Sequence, residues 1–264
     1  MQLYYIRHGQ SENNLLWDQT GSSEGRSEDP ALTKIGEQQA ERLAAYLIRE
    51  PADVDINGRD YQNVHGYGIT HLYCSLMIRA VATADIVARC LGIPPVAWPD
   101  LHETGGIFHY DPESEEVTGL PGNPRAYFET HFPTLRLPAD LDERGWWDRP
   151  FEAYEERPVR AERVLDELLA RHGGAEDRVA FVSHGGFYNH LLAAILDLPN
   201  VDLPRPEPAE SEEEEKAAES QKSQRRPWFI LNNAAISRID FDPEDRTRLI
   251  YMNRADYLPL EWIT

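Results

Sequence analysis

The chain has 264 residues, 41% of them hydrophobic, and a formal charge of −20. That length suffices to bury the core of one elaborated α/β domain. A surface so acidic repels nucleic acid and anionic membranes, so neither is expected as a partner, and any anionic ligand has to be caught locally.

Leu3 to Ile6 is a short run rich in aromatic and β-branched residues, which predicts a strand buried on both faces. The next segment, to Pro30, is polar and Gly/Ser-rich and reads as a loop. Thr33 is a candidate N-cap, followed by Gly36, Ala40, Leu43, Ala44 and Leu47 on one helical stripe. Ile69 to Cys74 predicts a second strand. The helix after it carries Leu76, Ala80, Thr83, Ala84, Val87 and Leu91 on one face and stops at Gly92. Pro95 to Trp98 suggests a further strand. A helix is expected from about Val159 to His172. Val179 to Val182 is again a strand, followed by a helix burying Leu191, Leu192, Ile195 and Leu196. The chain closes on Ala235 to Phe241 and Arg248 to Met252, separated by DPEDRT, which reads as a hairpin. This alternation predicts a three-layer α/β/α sandwich with a mainly parallel central sheet.

Two regions break the rhythm within what reads as a single domain over residues 1–264. Residues 104–153 are rich in proline and aromatics without periodicity, and are expected to form an insertion over the carboxyl ends of the strands, covering the active site. Residues 199–227 hold eight acidic and five basic side chains and almost no large apolar ones, so a charged, flexible loop is expected there. Cys74 lies in an apolar run and Cys90 in a helical pattern, which reads as two small buried hydrophobes in a reducing compartment. No charged start precedes an apolar h-region, and no apolar stretch approaches the ~18 residues of a membrane span, so a cytoplasmic location is expected. His184 and His190 are six apart and share no helix face, and no other spacing suggests zinc, so neither metal nor cofactor is expected. Oligomeric state is not readable.

Ligands of an open parallel sheet sit outside the carboxyl ends of its strands. The first strand delivers Arg7 and His8 there, the second is followed by Arg79 in the opening turn of its helix, and the third ends in Ser183, His184, Gly185 and Gly186. If these strands are neighbours, two arginines and two histidines converge beside helix N-termini, an arrangement suited to a phosphoryl group. A neutral histidine can accept that group and split hydrolysis into formation and breakdown of a phosphohistidine. The leaving alkoxide needs a proton, for which Glu103 in DLHETGG is best placed, with Asp100 and Glu113 as substitutes. Protonation of Glu103 near neutral pH would require the insertion's apolar cover or the substrate's charge. Trp146 and Trp147 read as the insertion's own small core in preference to a stacking platform.

Several ordered motifs then carry a resemblance. Arg7, His8, Gly9, Gln10, Ser11 and Asn14 fit R-H-G-[EQ]-[ST]-x-x-N. Thr20 and Gly21 fit a loop at a pocket mouth, and Leu32, Thr33, Gly36, Gln39 and Ala40 fit L-T-x-x-G-x-x-Q-A. SLMIRAVATA fits S-x-x-x-R-A-x-x-T-A, and VSHGGF contains S-H-G-G. In these the chain resembles the histidine phosphatase superfamily, in its phosphoglycerate mutase-like branch, over residues 1–100 and 178–258. The resemblance implies His8 as nucleophile, with Arg7, Arg79 and His184 completing a phosphate pocket in which His184 is charged beside a bound dianion. It implies Glu103 as proton donor and then base, Asn14, Thr20, Gly21 and Gly185 as substrate-binding residues, and a small soluble phosphomonoester as substrate. Mutases of the family follow the acid with R-H-Y-G and carry a later arginine pair. Here Thr104, Gly105 and Gly106 follow, and the adjacent arginines Arg225 and Arg226 lie in the charged loop, so hydrolysis is the leading expectation. Phosphoglycerate mutase is the alternative, and an inactive phospho-ligand-binding relative is the non-enzymatic one.

Overall fold

The computed structural model describes residues 1–56, 58–199, 227–242 and 246–264. The central sheet is built from β1 (Gln2–Arg7), β2 (His71–Cys74), β3 (Val96–Ala97), β6 (Arg178–Ser183), β7 (Ile236–Phe241) and β8 (Thr247–Arg254). Their order across the sheet is β3-β2-β6-β1-β7-β8. The first four run parallel to one another, β7 runs antiparallel to β1, and β8 antiparallel to β7. Helix α2 (Lys34–Leu47) packs with α3 (Ile78–Leu91), and α5 (Glu156–His172) with α6 (Gly185–Ile195), giving the expected three layers. Because β6 lies between β1 and β2, the three strands that end in chemistry-bearing residues are adjacent.

The central strands are apolar throughout because both faces are covered. Leu3 to Ile6 and Val179 to Ser183 are fully buried. Thr33 caps α2, its hydroxyl accepting from Gly36 N at 3.0 Å, and the buried stripe of that helix contains every residue the periodicity selects. Gly92 stops α3 in the left-handed conformation, at φ 68°.

Three expectations need correction. The stretch read as a loop before Pro30 contains α1 (Glu12–Thr20), a helix with no buried residue and hence no apolar stripe to announce it. Its signal is polar: Ser11 and Asn14 form a reciprocal capping box. Cys90 is exposed, on the solvent side of α3, while Cys74 is buried. Leu196 is the C-cap of α6 and exposed, and Ile195 is only half-buried, so the buried side of that helix runs from Phe187 to Ala193 instead.

Residues 104–153 carry a separate hairpin, β4 (Phe108–Tyr110) with β5 (Val117–Gly119), and the short helix α4 (Arg125–His131). Trp147 packs with Met77 and Ile107 in a small cluster of its own, and Trp146 leans on it. Apart from its two end residues, the charged stretch 199–227 lies outside the described residues, and so do Arg225 and Arg226. The β7–β8 hairpin forms as expected, with residues 243–245 of its turn also outside them. Among the described residues no helix is long and apolar enough to cross a membrane.

Candidate active site

Arg7 is the last residue of β1 and pairs in register with Ser183, the last residue of β6, which sets His8 and His184 side by side with ring centroids 5.1 Å apart. The turn after His8 approaches α2 so closely that only glycines fit. A Cβ on Gly9 would meet Gly36 O at 2.3 Å, and one on Gly36 would meet Gln10 O at 2.1 Å. Gln39, buried on the same helix, accepts from Gln10 N at 2.7 Å and fixes the turn from below. Arg79 enters from the first turn of α3, and its Nε donates to His8 Nε2 at 3.2 Å.

Hydrogen bonding assigns the tautomers. His8 Nδ1 lies 2.6 Å from Gly9 O, a group that only accepts, so Nδ1 carries the hydrogen and Nε2 keeps its lone pair. Burial, followed by the charges of Arg79 and Arg7, pushes the His8 imidazole well below its ordinary value, so it is neutral at pH 7. Ser75 Oγ accepts from Met77 N at 3.1 Å and stands 2.9 Å from His184 Nε2. Donation of the serine proton to Nε2 leaves the hydrogen of His184 on Nδ1, which is buried without a partner among the described residues. Burial first, then Arg79 and His8, depress His184 as well, so a second proton on it has to be drawn in by a bound dianion.

Arg7 Nη1 donates to Leu231 O at 2.6 Å, while its Nε is unpartnered among the described residues. A Cβ on Gly185 would come within 3.6 Å of that Nε. Arg79 Nη1 lies 3.6 Å from Asp29 Oδ1. Asp29 was invisible to the sequence reading: a lone aspartate before the α2 cap, it accepts from Ile78 N at 3.0 Å and so also caps α3. Burial raises its carboxyl to about 6. Asn14 Oδ1 takes bonds from Ser11 and Asn233, leaving its NH₂ group unspent among the described residues. Thr20 and Gly21 do not reach the cleft. They close α1, where Thr20 Oγ1 donates to Leu16 O at 2.7 Å and Gly21 takes the left-handed C-cap, and Ser22 and Ser23 form the wall instead.

Glu103 follows the short 3-10 turn Pro99–Leu101, and its carboxylate accepts from Thr104 N, Gly186 N and Phe187 N at 2.9, 3.1 and 2.9 Å, across the N-terminus of α6. Gly186 has no room for a side chain: a Cβ would meet Glu103 Oε1 at 2.5 Å. Behind it lies a buried network without local sequence signal. Arg160 grips both oxygens of Glu152 at 2.5 and 2.9 Å and donates to the carbonyls of Asp100 and His102 at 2.7 and 3.0 Å. Glu152 also accepts from Gly105 N at 3.2 Å, so the segment bearing Glu103 is tied to α5 on both sides. Arg7, His8, Arg79, Asn14 and Glu103 line one cleft of about 200 Å³.

A sequence profile of the histidine phosphatase superfamily (branch 1) matches residues 3–211. The chain belongs to the histidine phosphatase superfamily. It is 29% identical over 203 residues, 75% of this chain and 76% of the relative, to a protein of Cronobacter sakazakii named probable phosphoglycerate mutase GpmB. A Yersinia enterocolitica protein of the same name is 27% identical over 211 residues, with the same shares covered. The alpha-ribazole phosphatase from Shigella flexneri superposes with a TM-score of 0.55 at 20% identity, covering 96% of each chain. A mycobacterial glucosyl-3-phosphoglycerate phosphatase, solved with VO3, gives 0.54 at 19%, covering 96% of this chain and 99% of that one. At such identities the structural likeness speaks for the histidine phosphatase fold.

Other residues weighed as alternatives lie outside this histidine phosphatase cleft. Asp100 pairs with Arg163 at 3.0 Å, and Glu113 is exposed in the β4–β5 turn. One group among the described residues could offer three ligand atoms to a metal: His71, His172 and Asp177, within 4.8 Å of one another. It sits at the amino ends of β2 and β6, opposite the cleft, and its atoms are engaged locally, with His172 Nδ1 2.8 Å from Asp177 and Nε2 3.1 Å from Tyr73 Oη.

Proposed function

We propose that the chain hydrolyses a small phosphomonoester through a phosphohistidine on His8. The supporting observation is the His8 tautomer: Nδ1–H is committed to Gly9 O, which leaves the lone pair on Nε2, where it accepts from Arg79 Nε at 3.2 Å until a phosphoryl group takes that place. In this reading Nε2 attacks phosphorus as the bond to the alkoxide oxygen breaks. The charge on the transferred oxygens spreads onto Arg7, Arg79 and the Nδ1–H of His184. Glu103 gives the leaving oxygen its proton and then, as carboxylate, takes one from the water that cleaves the N–P bond. In the same reading the insertion 104–153, whose Phe108 packs on Arg26 at the cleft wall, helps to select the alcohol.

The names of the sequence relatives favour a second reading, phosphoglycerate mutase. Thr104, Gly105 and Gly106 after the acid weigh against it. Incubation with p-nitrophenyl phosphate and with 2- and 3-phosphoglycerate separates the two. Phosphate release that falls about 10⁴-fold or more in His8→Ala supports hydrolysis. Interconversion of the glycerates without release supports the mutase, and turnover that survives in His8→Ala refutes both.

A further inference from the structure

Residues 22–28 fall between two motif-bearing segments and match neither. They carry Arg26 to the wall of the same cleft, beside Arg79 and Glu103. Its guanidinium carbon lies 4.3 Å from the centroid of the Phe108 ring, which belongs to the insertion. Among the described residues no carboxylate stands within ion-pair distance of Arg26. Arg79 has Asp29 at 3.6 Å, whereas of the two acids nearest in sequence Glu28 is held by His109 at 2.9 Å and Glu24 makes no ion pair among the described residues. Burial and the positive charge of Arg79 push the Arg26 guanidinium below its ordinary value. Glu28 and Glu103 offset this only in part, so a half-buried arginine beside another arginine, with no ion pair of its own among the described residues, gains from an arriving anion.

The transferred phosphoryl group already has Arg7, Arg79 and His184. The cleft, at about 200 Å³, has room for that group and a carbon skeleton of a few atoms, with the exposed Trp17 ring as a further wall. We infer that Arg26 is a specificity residue that binds a second negative group on the leaving alcohol, so that the substrate is a short phosphomonoester with another anionic substituent, a carboxylate or a second phosphate. The Phe108 ring packs against one side of the guanidinium, whose planar N–H fork grips that group in bidentate fashion. This inference rests on the phosphatase reading for its chemistry, though not for its binding geometry.

The test compares pairs that differ only in the second charge: 3-phosphoglycerate with glycerol 3-phosphate for a carboxylate, and dihydroxyacetone bisphosphate with dihydroxyacetone phosphate for a phosphate. The readout is the ratio of kcat/KM within each pair for wild type, Arg26→Gln and Arg26→Lys, with affinities of the same four compounds measured by calorimetry. The wild type should favour the doubly charged member of one pair by about tenfold or more. Arg26→Gln should bring that ratio close to one, and Arg26→Lys should restore part of it. Which pair responds identifies the anion. A ratio unchanged in Arg26→Gln overturns the proposal, whether both members lose equally, as they would if Arg26 served the transferred phosphoryl group, or neither does. If no compound is turned over, the phosphatase reading fails while the binding ratios still decide the role of Arg26.

Discussion

Arg7, His8 and His184 sit where two six-residue parallel strands with buried centres end, whereas Glu103 follows a 3-10 turn after β3, a two-residue strand at the edge of the sheet. The cationic half of the cleft is therefore positioned by the sheet: hydrophobic burial fixes β1 and β6, and register fixes which residues emerge from them. The acidic half is positioned by polar contacts between segments distant in sequence, chiefly those of Arg160 to the carbonyls of Asp100 and His102, of Glu152 to Gly105 N, and of the N–H groups that open α6 to Glu103. One half inherits its rigidity from the core. The other depends on a few buried hydrogen bonds, each of which a single substitution can remove.

Arg160→Met is the substitution that separates the halves most sharply. It strands the Glu152 carboxylate, only 5% exposed, and frees the carbonyls of Asp100 and His102. Removing one partner of such a buried pair costs about 3–5 kcal/mol of stability, measurable by denaturant titration. Turnover should fall about 100-fold with little change in KM, because the phosphate-binding half is untouched while the acid is displaced. Adding Glu152→Gln to Arg160→Met should recover much of the stability and little of the turnover. A single variant with kcat within about twofold of wild type would show that Glu103 is held by α6 alone.

The same contrast governs what the sequence made legible. Strand and helix periodicity located β1, β2, β6 and their helices, and ordered motifs placed Arg7, His8, Arg79 and His184, because burial writes a repeating pattern into adjacent residues. Helix α1 left no such pattern, having no buried face. Asp29, Glu152 and Arg160 left none either: each is a charged residue in ordinary surroundings whose partner comes from another element, 49 positions away for Asp29 and Ile78. Trp147 does join a small core with Ile107, though Met77 at the start of α3 completes it, and Trp146 also packs against the main core, so the two aromatics bind the insertion to the sheet domain.

Asp29 joins the two regions, capping α3, pairing with Arg79 and accepting from Asn123 of the insertion at 3.4 Å. Its carboxyl is raised from 3.8 to about 6, chiefly by burial. The folded state therefore holds this proton more tightly than the unfolded chain. The resulting contribution is complete below about pH 4 and is lost as the pH rises through about 6, a change of about 3 kcal/mol. Asp29→Asn cannot titrate. The stability of wild type relative to Asp29→Asn should accordingly fall by about that amount between pH 4 and 7, measured by urea unfolding across the range. A difference that stays flat would mean that Arg79 holds the carboxylate ionised throughout.

The smallest effect is expected at Thr20, which the family motif puts at the mouth of the pocket and the structure puts at the end of α1. Its hydroxyl is spent on Leu16 O and Ser22 N, at 2.7 and 3.1 Å, and the side chain is exposed. Thr20→Ala should cost no more than about 0.5 kcal/mol of stability and leave kcat/KM within about twofold. Asn14→Ala is the fitting contrast, because Asn14 braces the turn after His8 through Ser11 and Asn233 and also lines the cleft. It should lower kcat/KM by about tenfold. If Thr20→Ala instead raises KM by as much as Asn14→Ala does, α1 must unwind at its C-terminus when substrate binds, bringing Thr20 to the anion. The mouth would then belong with the acidic half as a part of the site that the sheet does not fix.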